Sequence, residues 1–107
     1  MKICFDLDGV LTEGVYSHPN YRLCRPNADA VRLVKKLYDL GNTIIIHTAR
    51  WEEDRAITER WLREHDVSYH ELILGKPYAD VYVEDNAIRF SNESAKLLYE
   101  LLGDKCE

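Results

Sequence analysis

At 107 residues, 46% hydrophobic and 31% charged, the chain predicts one domain over 1–107 with a single modest core, which excludes a disordered or membrane-embedded protein. A formal net charge of −5 argues against nucleic acid as a partner, because such binders concentrate Lys and Arg on a basic face. Lys2 and several acids within the first residues leave no apolar leader, and no window approaches the roughly 18 apolar residues of a membrane span. The expected location is therefore the cytosol, without membrane contact. Cys4, Cys24 and Cys106 have neither CxxC nor Cys/His ligand spacing, so they read as reduced, non-catalytic thiols, with Cys4 a small core residue of the first strand.

Residues 2–5 form a short apolar run that predicts a strand, followed at once by Asp6, Asp8 and Gly9. Two acids separated by one leucine collect negative charge where a cation such as Mg2+ would relieve it. The stretch 12–25 has neither helical nor strand periodicity; so long a connection in a small domain reads as a functional flap. Residues 26–40 predict a helix with Pro26 near its start, Ala30, Val34, Leu37 and Tyr38 on its apolar side, and Gly41 as its stop. The β-branched run Thr43–His47 predicts a strand buried on both faces. Residues 52–66 return to helical spacing, with acids in the first turn and Ile57, Trp61, Leu62 and His65 along one side. Trp51 is expected to pack at the start of this helix.

Tyr69 to Leu74 predicts a third strand broken by Gly75 and Pro77, and Val81 to Val83 a fourth ending in Glu84, Asp85 and Asn86. A last helix, capped by Ser91 or Asn92, would bury Ala95, Leu98, Tyr99 and Leu102 and stop at Gly103. Strands alternating with helices imply right-handed crossovers and an α/β, three-layer Rossmann-like sandwich: a mostly parallel sheet of about four strands.

Ligands of such sheets bind beyond the carboxyl ends of the strands. There the chain places Asp6 and Asp8, then Thr48, Ala49 and Arg50, then Lys76, then Glu84 and Asp85. Each has a plainer reading alone: Asp6 and Asp8 as a solvated turn, Thr48 as a cap, Lys76 as surface, Glu84 and Asp85 as an acidic turn. An EF-hand starting at Asp6 is excluded, since its glycine and glutamate places hold Leu11 and Ser17. Co-location at successive strand ends favours a phosphate site instead. Asp6 could attack phosphorus, with Mg2+ held by Asp6 and Asp85 or Glu84 offsetting the repulsion. Asp8 could protonate the leaving oxygen and then activate water, while Thr48 and Lys76 hold the non-bridging oxygens.

DLDGV at 6–10, IIIHTAR at 44–50, GKP at 75–77 and VYVEDN at 81–86 resemble, in order, the four motifs of the haloacid dehalogenase-like phosphohydrolases. The resemblance spans residues 2 to about 90 and implies Asp6 as nucleophile and metal ligand. It also implies Asp8 as general acid/base with its carbonyl on Mg2+, Thr48, Ala49 and Lys76 on the phosphoryl group, and Asp85 on the metal. Glu84 stands where many members carry another aspartate or a glycine, so its place on the metal is less defined. No cap domain is expected within 1–107, and the chain resembles the capless subgroup, in which a flap and often a neighbouring copy set access. GKPYADVYVED further resembles small phosphatases of surface-polysaccharide and phosphosugar pathways, which makes a sugar phosphate the expected small substrate and a nucleotide or polynucleotide end the alternative. Tyr16, His18, Arg22 and Arg25 of the flap, with Arg50, are the candidate substrate contacts; His47, His65 and His70 read as structural. A receiver-like signalling domain uses the same residue types, but it carries its phospho-accepting aspartate after a middle strand, where this chain has Thr48. A non-catalytic binding module is the remaining alternative.

Overall fold

The computed structural model describes residues 1–14, 20–91, 93, 94, 96–98 and 100, the side chains of Asn20 and Arg22 excepted. Three strands, β1 (Lys2–Phe5), β2 (Thr43–His47) and β3 (Glu71–Ile73), form a parallel sheet in the order β1-β2-β3. Helix α1 (Ala28–Asp39) links the first two and α2 (Arg55–Glu64) the last two. Phe5 pairs with Ile46 and Ile46 with Leu72, while Cys4 pairs with Ile45 and Ile45 with Glu71.

With consecutive strands adjacent, right-handed crossovers carry both helices over one face. Burial agrees: Phe5, Ile44, Ile46 and Leu72 lie in the core with Ala30, Leu33, Val34 and Leu37 of α1 and Trp61 and Leu62 of α2. On the opposite face Ile45 is half-buried, and Cys4 and Ile73 are exposed. The expectation of a β2 strand buried on both faces is therefore corrected: its side chains alternate between full and partial burial. Cys4 is likewise no core residue; Cys24 is the buried thiol, and Cys106 lies outside the described residues. The third layer of the expected sandwich is not seen among the described elements.

Helix α1 starts later than Pro26 because Asn27 is its cap, its side-chain oxygen accepting from the Ala30 amide at 3.2 Å. Leu33 joins the buried stripe, whereas Tyr38 leaves it to stack on His70 with ring centroids 4.5 Å apart. Gly41, at φ 96°, ends the helix as expected. Ahead of α2 a short 3-10 turn, Glu52–Asp54, takes the acids, and the helix buries Thr58, Trp61 and Leu62 at i, i+3 and i+4. Trp51 does not pack; it is 71% exposed.

The fourth strand is absent: residues 81–83 have no strand conformation, and Val81 and Val83 are 73% and 94% exposed. A run of three residues offers few ladder bonds, and the charges of Asp80, Glu84 and Asp85 on either side favour solvation. Helical conformation returns at Glu93, Ser94, Lys96–Leu98 and Glu100, with Ser91 accepting from the Ser94 amide at 3.1 Å and Leu98 buried. Asn92, Ala95, Tyr99, Leu102 and Gly103 lie outside the described residues. No described helix is long and apolar enough to cross a membrane.

Candidate active site

The end of β1 turns sharply. Asp6 is extended and its carboxylate accepts from the Leu7 amide at 2.8 Å; a wide turn over Leu7–Leu11 is then closed by the Thr12 amide on the Leu7 carbonyl at 3.1 Å. Gly9 takes φ 87°, a conformation that disfavours side chains, and its amide donates to the buried Thr12 hydroxyl. Both ends of the predicted flap are zipped together. The Glu13 amide donates to the Arg25 carbonyl and the Asn27 amide to the Leu11 carbonyl, each at 2.8 Å. Within the flap, Asn20–Leu23 make a 3-10 turn that buries Tyr21, and Cys24 follows into the core. The Trp61 indole N–H donates to the Cys24 carbonyl at 2.9 Å, tying the flap base to α2.

The end of β2 interlocks with the end of β3. The Thr48 amide donates to the Ile73 carbonyl, the Lys76 amide to the Thr48 carbonyl and the Gly75 amide to the Arg50 carbonyl, all at 2.9 Å. The buried Thr48 hydroxyl accepts from the Arg50 amide at 3.2 Å. These bonds bring Lys76 beside Thr48, and the Lys76 ammonium sits 4.3 Å above the Tyr82 ring centroid. Its charge acts on Asp6, as do those of Asp8 and His47.

Desolvation raises the Asp6 pKa, against the opposing pull of the Leu7 amide and Lys76. Asp8 has a different environment. Arg50 grips it with two bonds, from Nη2 to Oδ1 at 2.7 Å and from Nε to Oδ2 at 3.0 Å. The guanidinium also donates to the Thr58 hydroxyl at 3.1 Å and the Cys24 sulfur at 3.7 Å, and lies 3.8 Å over the Tyr21 ring. Arg50 thus faces inward, which corrects its expected place among the substrate contacts. Burial pushes the Cys24 thiol pKa up, against the charge of Arg50, in keeping with an unreactive thiol.

The structure brings Asp6, Asp8, Thr48 and Lys76 to one edge of the sheet. Ala49 is half-buried between Thr48 and Arg50. Glu84 and Asp85 lie on the exposed segment, and Glu84 is within electrostatic reach of Cys4. Among the described residues no three His, Cys, Asp or Glu side chains gather as a metal cluster. Asp6 itself suits a hard cation: an accessible carboxylate whose charge is destabilised by desolvation. Arg25 is exposed, whereas Tyr16, His18 and the Arg22 side chain lie outside the described residues. The sequence reading missed Thr58, Tyr21 and Cys24 as the cradle of Arg50. Thr58 shares a helical stripe with Trp61 and Leu62, a spacing that marks it as inward-facing.

A crystal structure of an MCSG target from Vibrio cholerae is 30% identical, covers 94% of this chain and 97% of its own, and superposes with a TM-score of 0.73. The two chains belong to one family. Two further solved structures, of a Pnkp1/Rnl/Hen1 complex and of the Pnkp1/Rnl/Hen1 RNA repair complex, are each 24% identical with a TM-score of 0.59. They cover 92% and 94% of this chain, which spans only 33% and 30% of theirs, and this likeness concerns the fold alone. No protein-family profile and no curated protein matches the chain.

Proposed function

We propose that this chain is a Mg2+-dependent phosphomonoester hydrolase of the haloacid dehalogenase-like type, working through an aspartyl-phosphate on Asp6. The observation that carries the reading is the meeting of Asp6, Asp8, Thr48 and Lys76 at the carboxyl edge of a parallel sheet, where ligands of such sheets bind. Asp6 is exposed, so an incoming phosphoryl group can reach its carboxylate. One of its oxygens forms the new bond to phosphorus as the ester P–O bond breaks. Asp8 gives a proton to the departing oxygen, then takes one from the water that cleaves the acyl phosphate, so the enzyme returns to its starting state. Each Asp8 oxygen keeps a second lone pair beside its bond to Arg50, which leaves a place for that proton. Lys76 and the Thr48 hydroxyl bind the non-bridging oxygens.

Asp6, with Asp85 and Glu84 from the exposed segment and the Asp8 carbonyl, would hold Mg2+, which when bound offsets the repulsion between Asp6 and the phosphate dianion. The substrate class we favour is a small sugar phosphate, on the resemblance of the GKPYADVYVED stretch. A polynucleotide end is the second reading, favoured by a structural neighbour found in an RNA repair complex. The test is phosphate release from an aryl phosphate, phosphosugars, nucleotides and 3′-phosphorylated oligonucleotides, with Mg2+ and with chelator. Turnover that needs Mg2+ and disappears in Asp6→Asn is the expected result. Undiminished turnover in that variant would remove the covalent mechanism, and silence across the whole panel would favour a non-catalytic binding module.

A further inference from the structure

We infer that Arg50 is a positioning residue that fixes the Asp8 carboxylate and couples it to both the flap base and α2; the inference rests on the proton-transfer role proposed for Asp8. The Arg50 side chain is only 1% exposed and that of Asp8 16%, so the pair is sheltered on the arginine side and open on the aspartate side. A guanidinium so deeply buried needs a fixed partner, because an uncompensated charge there is strongly unfavourable. Both Asp8 oxygens serve as that partner through a planar, two-bond fork, which sets the plane of the carboxylate as well as its place.

The fork is itself held from three sides. Thr58 on α2 accepts from Nη1, Cys24 lies against Nη2, and the Tyr21 ring lies under the guanidinium plane. Tyr21 and Cys24 belong to the flap base, and Trp61 binds the Cys24 carbonyl from the same helix that carries Thr58. A shift of the flap base against α2 therefore moves Arg50 and, with it, the carboxylate. With its side chain only 1% exposed against 16% for Asp8, Arg50 acts on substrate through Asp8. Lysine keeps the charge and lacks the fork, so Arg50→Lys should leave Asp8 paired and poorly oriented.

The experiment compares kcat/KM for an alkyl phosphate, whose leaving oxygen needs a proton, with that for p-nitrophenyl phosphate, whose leaving group does not. General acid help is worth about 100-fold or more, so Arg50→Lys should lower the alkyl rate at least about tenfold more than the aryl rate. Asp8→Asn should show the same selectivity more strongly, and Thr58→Val a weaker version. An equal loss on both substrates, tracking the folded fraction, would overturn the inference in favour of a merely structural arginine. A rise in KM alone, equal for both, would overturn it in favour of a substrate contact. If Asp8→Asn itself shows no leaving-group selectivity, the proton-transfer reading fails instead. Urea midpoints then decide on the pairing without any activity: Asp8→Asn, Arg50→Gln and the double variant should be strongly non-additive, and additive losses would overturn the coupling.

Discussion

Asp6 carries a charge that the fold does not welcome. Desolvation raises its pKa, while the Leu7 amide and Lys76 only partly compensate. Raised in the folded state, Asp6 binds its proton more tightly there than in the unfolded chain, so its ionisation works against folding at neutral pH. That penalty is present above the folded pKa and relieved as the pH falls through it. In chelator at pH 7, Asp6→Asn should therefore melt higher than the natural protein while losing turnover, since asparagine keeps the acceptor for Leu7. Near pH 4 the two should converge; a lower melting temperature for the variant at pH 7 would show that the charge is stabilising. The place of Asp6 and Asp8 just past the end of a strand was legible in the sequence. The partner of Asp8 was not, because Arg50 lies 42 positions away and only the closure of β1 against β2 brings the two together.

The elements that position these residues were read with uneven success, and the reasons are physical. The runs at Lys2–Phe5 and Thr43–His47 are apolar, bounded by turn-forming residues, and appear as β1 and β2 with the expected limits. Helix α1 was shifted by its Asn27 cap, a local hydrogen bond that hydrophobic periodicity does not register. The flap was read as irregular, yet its base is built into the core through Tyr21, Cys24 and the indole of Trp61, contacts between distant segments that no local pattern contains. Trp61 is 2% exposed and its N–H is the donor for the buried Cys24 carbonyl. Trp61→Phe keeps the aromatic body and strands that carbonyl, at a cost of about 2 kcal/mol. Urea unfolding should show a lower midpoint with an unchanged m value; no shift would mean that water serves the carbonyl equally well.

For the whole molecule, the order β1-β2-β3 places β1, the strand that leads into Asp6 and Asp8, at one edge of the sheet formed by the described residues. Beyond Lys76 the chain leaves the sheet, and Tyr78 and Val83 are 91% and 94% exposed. Glu84 and Asp85, the later acids expected on the metal, sit on this segment; its three-residue apolar run predicted a strand that does not form, because the charges on either side favour solvation over pairing. Limited chymotrypsin digestion in chelator should cut first after Tyr78 or Tyr82, because backbone without ladder partners opens at low cost. Trp51 and Leu23 are both 71% exposed, but each sits in a hydrogen-bonded turn that resists a protease, through Asp54 on Trp51 and Cys24 on Tyr21. A first cut at either would mean that the segment after Lys76 is better held than its exposure implies. If Asp85 joins Asp6 on Mg2+, adding Mg2+ and inorganic phosphate should slow the cut after Tyr82 several-fold, and Asp85→Asn should lose that effect. Equal cleavage of both proteins with and without the cation would place Asp85 outside the metal site, where Asp6, the Asp8 carbonyl, water and phosphate would then have to hold the cation.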